Sequence, residues 1–154
     1  MSVKTRIGVI GSRERNSPED KEILRKYLKE LILILGGFNN VIFVSGFCRK
    51  GGDKFSEEIA LEDYGQEFLD SMIIHKPDES KLNKDLLKVN SRAAYREINY
   101  MRNDLIARDS DILVSLCKVS RTGGAENTIK TFKRIKNSKG RIHINTGGTT
   151  WLIS

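Results

Sequence analysis

Residues 45–53 read SGFCRKGGD and follow directly on the apolar run VIFV. Two glycines, two cations and an acid in one short loop suit a phosphate or a sugar, because glycine lets backbone approach closely and the cations offset negative charge. An ordinary strand-to-helix turn, with Asp53 as its N-cap, accounts for the same residues. A second loop of the kind is SRTGGAENT at 120–128. There Gly123 and Gly124 would let a ligand meet the first amides of a helix at the positive end of its dipole. Ser120, Arg121, Thr122 and Thr128 would add hydroxyls and one fixed cation, a set suited to phosphate or pyrophosphate. The spacing is neither GxGxxG nor a Walker A motif, so a phosphate cradle and a plain connection stand level.

Other residues with chemical potential have ordinary explanations. Ser12 and Arg13 follow an apolar run and can serve a turn or a ligand. Arg102 and Asn103 sit in a helical pattern beside its apolar stripe, as a solvated face would have them. His75 has no partner visible in the sequence and is expected to be structural. Cys48 and Cys117 are far apart, without a CxxC pair or nearby histidine ligands, so reduced thiols are expected, with no metal and no cofactor.

The elements that must carry these loops can be read from periodicity. RIGVIGS is a buried strand closed by Gly11. Ser17, Pro18 and Asp20 form a helix start, and Leu24, Tyr27, Leu28, Leu31 and Leu35 make its apolar stripe up to Gly36-Gly37. NVIFVSG is a strand buried on both faces, followed by a helix from Asp53 with Phe55 and Ile59 inward and Gly65 at its end. A third strand is expected around Met72 to Ile74, halted by Pro77. DESKLNKDLLKVNS lacks a clean period and is expected to run over the surface. A helix from Ala93 to about Arg108 should face inward with Ala94, Ile98, Met101 and Leu105. DILVSLC is the fourth strand, the next helix carries Ile129, Phe132 and Ile135 or Lys136 inward, and RIHIN is the fifth strand. Residues 146–154 make a glycine-rich tail. Alternating strands and helices predict a doubly wound α/β fold, with a mostly parallel five-stranded sheet and helices on both faces. Ligands of such folds sit beyond the carboxyl ends of the strands, where all three loops should gather.

The 154 residues suit one domain spanning 1–154, and 38% hydrophobic with 31% charged residues is ordinary for a folded chain. No stretch has the length of a membrane span and the N-terminus lacks a secretory h-region, so a cytoplasmic protein is expected, with no membrane partner. The net charge of +7 is spread over every helix among acids, without an aromatic-rich basic tract. Nucleic acid is therefore not the expected partner, although the charge would attract a small anion.

Taken in order, IGVIGSRE, VSGFCRKGGDKFSEEIA, YMRNDLIARDSDILVS and RTGGAENTIKTFKR resemble the SLOG superfamily, the Rossmann-like nucleotide-binding group that includes the Smf/DNA-processing proteins and the LOG phosphoribohydrolases. The likeness runs from about residue 6 to residue 136 and is nearest to the small single-domain members. It implies a Rossmann-like fold and a site built from Gly11, Ser12 and Arg13, then Ser45, Gly46, Gly52 and Asp53. Arg102 and Asn103 would join from a helix, and Gly123, Gly124 and Thr128 from the phosphate loop, where the loop's own residues already offer Arg121 and Thr122. It also implies a homo-oligomer, commonly a dimer.

The resemblance implies binding of a nucleotide or nucleotide derivative, to sense or sequester it. The alternative it offers is cleavage or transfer at an N-glycosidic bond, by a phosphoribohydrolase or a nucleoside deoxyribosyltransferase-like enzyme using Asp53 or Glu126. LOG enzymes end their glycine motif in a glutamate that serves the ribosyl chemistry. Alignment on Gly124 puts Thr128 there, with Glu126 two positions early and roughly 200° away around the helix. That departure speaks against a LOG-type hydrolase.

Overall fold

A computed structural model describes residues 3–137 and 139–154. The first strand, β1 (Thr5–Gly11), is central because its alternating side chains serve both faces: Ile7 and Val9 enter one core, Ile10 the other. It is followed by α1 (Pro18–Ile34), which starts with a full capping box between Ser17 and Asp20 and Pro18 in its first turn. Leu24, Leu28, Leu31 and Ile32 are its buried face.

Strand β2 (Val41–Gly46) pairs parallel to β1 and leads into α2 (Gly52–Ile59), extended by a π turn at Ala60–Tyr64. A short helix absent from the sequence reading, α3 (Gln66–Asp70), precedes β3 (Ile73–His75). The expected surface excursion holds a 3₁₀ turn at Glu79–Lys81 and the helix α4 (Lys84–Val89), capped by Asn83. Asn90 then caps α5 (Ser91–Asp109), which leads to β4 (Ile112–Leu116), α6 (Gly124–Lys136) and β5 (Arg141–Asn145).

Among the described residues the sheet runs β3-β2-β1-β4-β5-β6 and has six strands, where five were expected. The additional one is β6 (Leu152–Ile153), formed by the apolar end of the tail and antiparallel to β5. All other pairs are parallel. One core joins the sheet to α1, α2 and α3, and a second joins it to α5 and α6, so helices cover both faces. This is a doubly wound, Rossmann-like α/β architecture. No helix among the described residues is long and apolar enough to cross a membrane.

Helix α5 departs from its expected inward face. Ala94 and Ile98 are buried, but Met101 and Leu105 are about half exposed; Asn103, Ile106 and Ala107 take the inner positions instead. An apolar period does not reveal which side of an amphipathic helix meets its neighbours when a polar residue is satisfied inside. Asn103 is such a residue: its amide nitrogen reaches the Gly124 carbonyl at 3.4 Å and the Asn127 side chain at 3.1 Å.

Candidate functional site

The chain leaves β1 in one direction toward β2 and β3, and β4 in the other toward β5. The two strands lie side by side, so their carboxyl ends form the topological switch point of the sheet. Asn103 bonds the first turn of α6, and both α5 and α6 run back from the carboxyl edge. Residues 91–102 of α5 therefore stand beyond that edge, a projection of roughly 18 Å at 1.5 Å per residue. Helix α4 contacts α5. Between the projecting half of α5 and the loops after β1, β2 and β4 lies a cleft of about 740 Å³.

The cleft collects much of the expected site. Gly11, Ser12 and Arg13 line it from the loop after β1. Asp53 comes from α2, Arg102 and Asn103 from α5, and Thr122, Gly123, Gly124 and Thr128 from the loop and first turns of α6. Ser45, Gly46, Gly52 and Arg121 are outside its lining, each for a definable reason. The Ser45 hydroxyl is fully buried and donates to the Val9 carbonyl. A Cβ on Gly46 would lie 2.6 Å from an Arg102 nitrogen and 2.7 Å from an Asp53 oxygen, so this glycine lets the two side chains sit over β2. A Cβ on Gly52 would collide with the Ile10 carbonyl and lie 2.8 Å from the Gly11 amide; close packing of α2 on β1 requires glycine here.

Arg121 is committed elsewhere. In a left-handed conformation, φ 55°, it donates from Nε and Nη2 to the two Glu126 oxygens at 2.5 and 3.1 Å. The cation expected to meet a phosphate and the acid considered for sugar chemistry thus satisfy each other. Thr128 is buried, and its hydroxyl donates to the Gly124 carbonyl at 3.0 Å, which holds the first turn of α6. The α6 start itself has no side-chain cap, so the Gly124 and Ala125 amides open on the cleft.

Asp53 is not the N-cap of α2. Gly51 holds that position, at φ 74°, and Asp53 is the second helical residue, accepting the Cys48 amide at 3.2 Å. The residue is 6% exposed. Burial pushes its pKa up to about 6, against the opposing pull of the Arg102 guanidinium and the Cys48 amide. A buried acid at the floor of a cleft, titrating near neutrality, can exchange a proton with a bound molecule.

Several residues in or near the site escaped the sequence reading. Arg92, Tyr95, Arg96, Asn99 and Tyr100 form the projecting wall of α5, and Lys118 joins from the loop after β4. Their positions, 92, 95–96, 99–100 and 102–103, follow a helical period that could have marked them as one polar face. Arg15 was also missed. It is buried, donating to the Cys117 and Asn145 carbonyls at 2.8 and 2.9 Å, to the Asn145 side chain at 2.9 Å and to Asp20 at 2.7 Å. It ties the loops after β1, β4 and β5 together beside the cleft. Burial would raise the Asp20 carboxyl, but bonds from Arg15 and Ser17 hold it below its usual range.

His75 does have a partner: its Nε2 lies 2.6 Å from an Asp109 oxygen, outside the cleft. Cys48 lines the cleft and Cys117 is buried; both are free thiols. Among the described residues no three His, Cys, Asp or Glu side chains gather as a metal ion would require. Compared with family models, with curated proteins and with solved structures, the chain finds no significant match to any of them.

Proposed function

We propose that the switch-point cleft binds a nucleotide or nucleotide derivative, to sense or sequester it. Its phosphate would rest on the Gly124 and Ala125 amides, flanked by Arg13 and Lys118. The observation that carries this reading is the uncapped start of α6 opening into the cleft, where a Cβ on Gly124 would meet nothing nearer than Asn103 at 4.0 Å. The cleft's 740 Å³ falls in the range that accommodates small ligands. The resemblance to SLOG proteins supports the same ligand class, and Thr128 in the glutamate position favours binding over hydrolysis.

Two measurements test it. Mass spectrometry of small molecules released from the purified protein should return a phosphorylated nucleoside derivative. Calorimetric titration should give a nucleoside 5′-monophosphate at least tenfold tighter than its unphosphorylated nucleoside. Equal affinities would remove the phosphate from the reading.

A second reading, cleavage of an N-glycosidic bond, rests on Asp53, the buried acid at the cleft floor beside Arg102. In that chemistry a carboxylate stabilises or traps an oxocarbenium-like sugar. Base release from nucleoside monophosphates, followed chromatographically and abolished by Asp53→Asn, would favour it over simple binding.

A further inference from the structure

The wall that α5 raises above the sheet has a composition of its own. Arg92, Arg96 and Tyr100 succeed one another at four-residue intervals on one row, and Tyr95, Asn99 and Arg102–Asn103 follow on the next; all line the cleft. Tyr95 and Tyr100 are 44% and 43% exposed, large rings presented to solvent. Cations and aromatic rings interleaved along one groove match the alternation of phosphates and bases in linked nucleotides, because arginine pairs with phosphate and every base has a face to stack.

Charge balance in the cleft points the same way. Of its lining acids, Glu14 is paired with Lys118 at 3.3 Å and Asp53 lies under Arg102, which leaves Glu79 against Arg13, Arg92 and Arg96. None of these three arginines has an ion-pair partner among the described residues. Two are remote from the α6 amides. Asn103 touches Gly124, and from there Arg96 and Arg92 lie roughly 10 and 16 Å back along α5 by the helical rise. One phosphate on the α6 amides therefore leaves a second cationic zone, separated from the first by a tyrosine-bearing stretch.

We infer that the cleft accepts two linked nucleotide units, a 5′-phosphorylated dinucleotide. Its terminal phosphate lies on the Gly123–Gly124 turn, its bases lie against Tyr95 and Tyr100, and its internucleotide phosphate lies toward Arg96 and Arg92. This rests on the nucleotide reading above and extends it from the ligand class to the number of units.

The test titrates the full chain with each of the four ribonucleoside 5′-monophosphates, the four matching 5′-phosphorylated homodinucleotides and a 5′-phosphorylated hexanucleotide. For at least one base, the dinucleotide should bind ten- to a hundredfold tighter than the monophosphate. In an Arg92→Ala/Arg96→Ala double variant that ratio should fall to within about threefold of one. Both residues are exposed on a helix surface, so the variant retains its fold. Monophosphate binding with no gain from the second unit would overturn this inference and leave the nucleotide reading standing. Absence of binding by all probes would overturn both. A hexanucleotide more than tenfold tighter than the dinucleotide would make the cleft part of a strand-binding groove, and would overturn the two-unit assignment.

Discussion

Two glycine pairs open helices at the carboxyl edge of the sheet, Gly51–Gly52 before α2 and Gly123–Gly124 before α6. The first member of each has positive φ, 74° and 93°, and neither helix has a side-chain cap. Their surroundings differ. A Cβ on Gly51 would strike the Ser12 carbonyl, and one on Gly52 the Ile10 carbonyl, so that pair is filled by the backbone of β1 and its loop. On Gly123 and Gly124 the nearest atoms would be Lys118 Cε and Asn103 Nδ2, each at 4.0 Å. One pair lets the protein pack against itself; the other leaves helix amides facing a cleft. The same two letters in sequence serve packing in one place and access in the other.

Alanine substitutions should separate the two pairs most sharply. Gly52→Ala forces a methyl group against the Ile10–Gly11 peptide unit of β1, which is held in the sheet and cannot rotate away, and should cost about 3 kcal/mol or more of unfolding free energy. Gly124→Ala should fall within about 0.5 kcal/mol of wild type. Urea denaturation measures both, and equal losses would erase the distinction between the pairs.

Asp53 belongs to the packed side of the comparison yet reaches the cleft, and its ionisation should appear in the pH dependence of stability. Its folded pKa, about 6, lies above the unfolded value of 3.8. Between those values the native state binds more protons than the unfolded state, so this group's contribution to stability is full below pH 4 and is lost as pH rises toward 6. The loss is on the order of 2 to 3 kcal/mol. His143 works in the opposite sense: burial lowers its pKa, and its contribution is lost as pH falls below its ordinary range. The informative quantity is therefore the wild type minus Asp53→Asn difference, which should decline from pH 4 to 6 and then stay flat. A flat difference throughout would mean that Arg102 holds the carboxylate ionised.

On the open side, Gly124→Val should reduce affinity for a nucleoside 5′-monophosphate by at least about tenfold with the unfolding midpoint little changed, because the branched side chain enters the space above the α6 amides. Retained affinity would move the phosphate away from this turn.

The sheet was legible in the sequence because its strands are short β-branched runs bounded by glycine and its helices carry apolar stripes. Ser17-Pro18-Asp20 even announced its capping box. What escaped depends on contacts across long separations. β6 has two residues, and the pairing of Leu152 and Ile153 with β5 has no local signal. Arg15 looked like any loop cation, since its four bonds go to Asp20, Cys117 and Asn145. On α5, Met101 and Leu105 drew the inward face the wrong way, Arg102 and Asn103 passed as a solvated face, and the arginines and tyrosines before them were not read as one surface. A basic and aromatic tract is not contiguous when a helix displays it every third or fourth residue.

Arg121 offers the smallest effect and the finest division between packing and access. By position it is a phosphate-loop arginine, but both donors of its fork on the Glu126 side are engaged by a partly buried carboxylate. Partly exposed pairs of this kind contribute on the order of 1 kcal/mol or less. Arg121→Ala should therefore lower stability by roughly 0.5 to 1 kcal/mol. Glu126→Gln should act in the same direction, and the double variant should fall short of the sum by the coupling between them. Affinity for a nucleoside monophosphate should change by less than about threefold in Arg121→Ala, because Arg13 and Lys118 line the cleft and Arg121 does not. A tenfold loss confined to phosphorylated ligands would instead show that the guanidinium leaves Glu126 when ligand binds, making the α6 turn a moving part of the site.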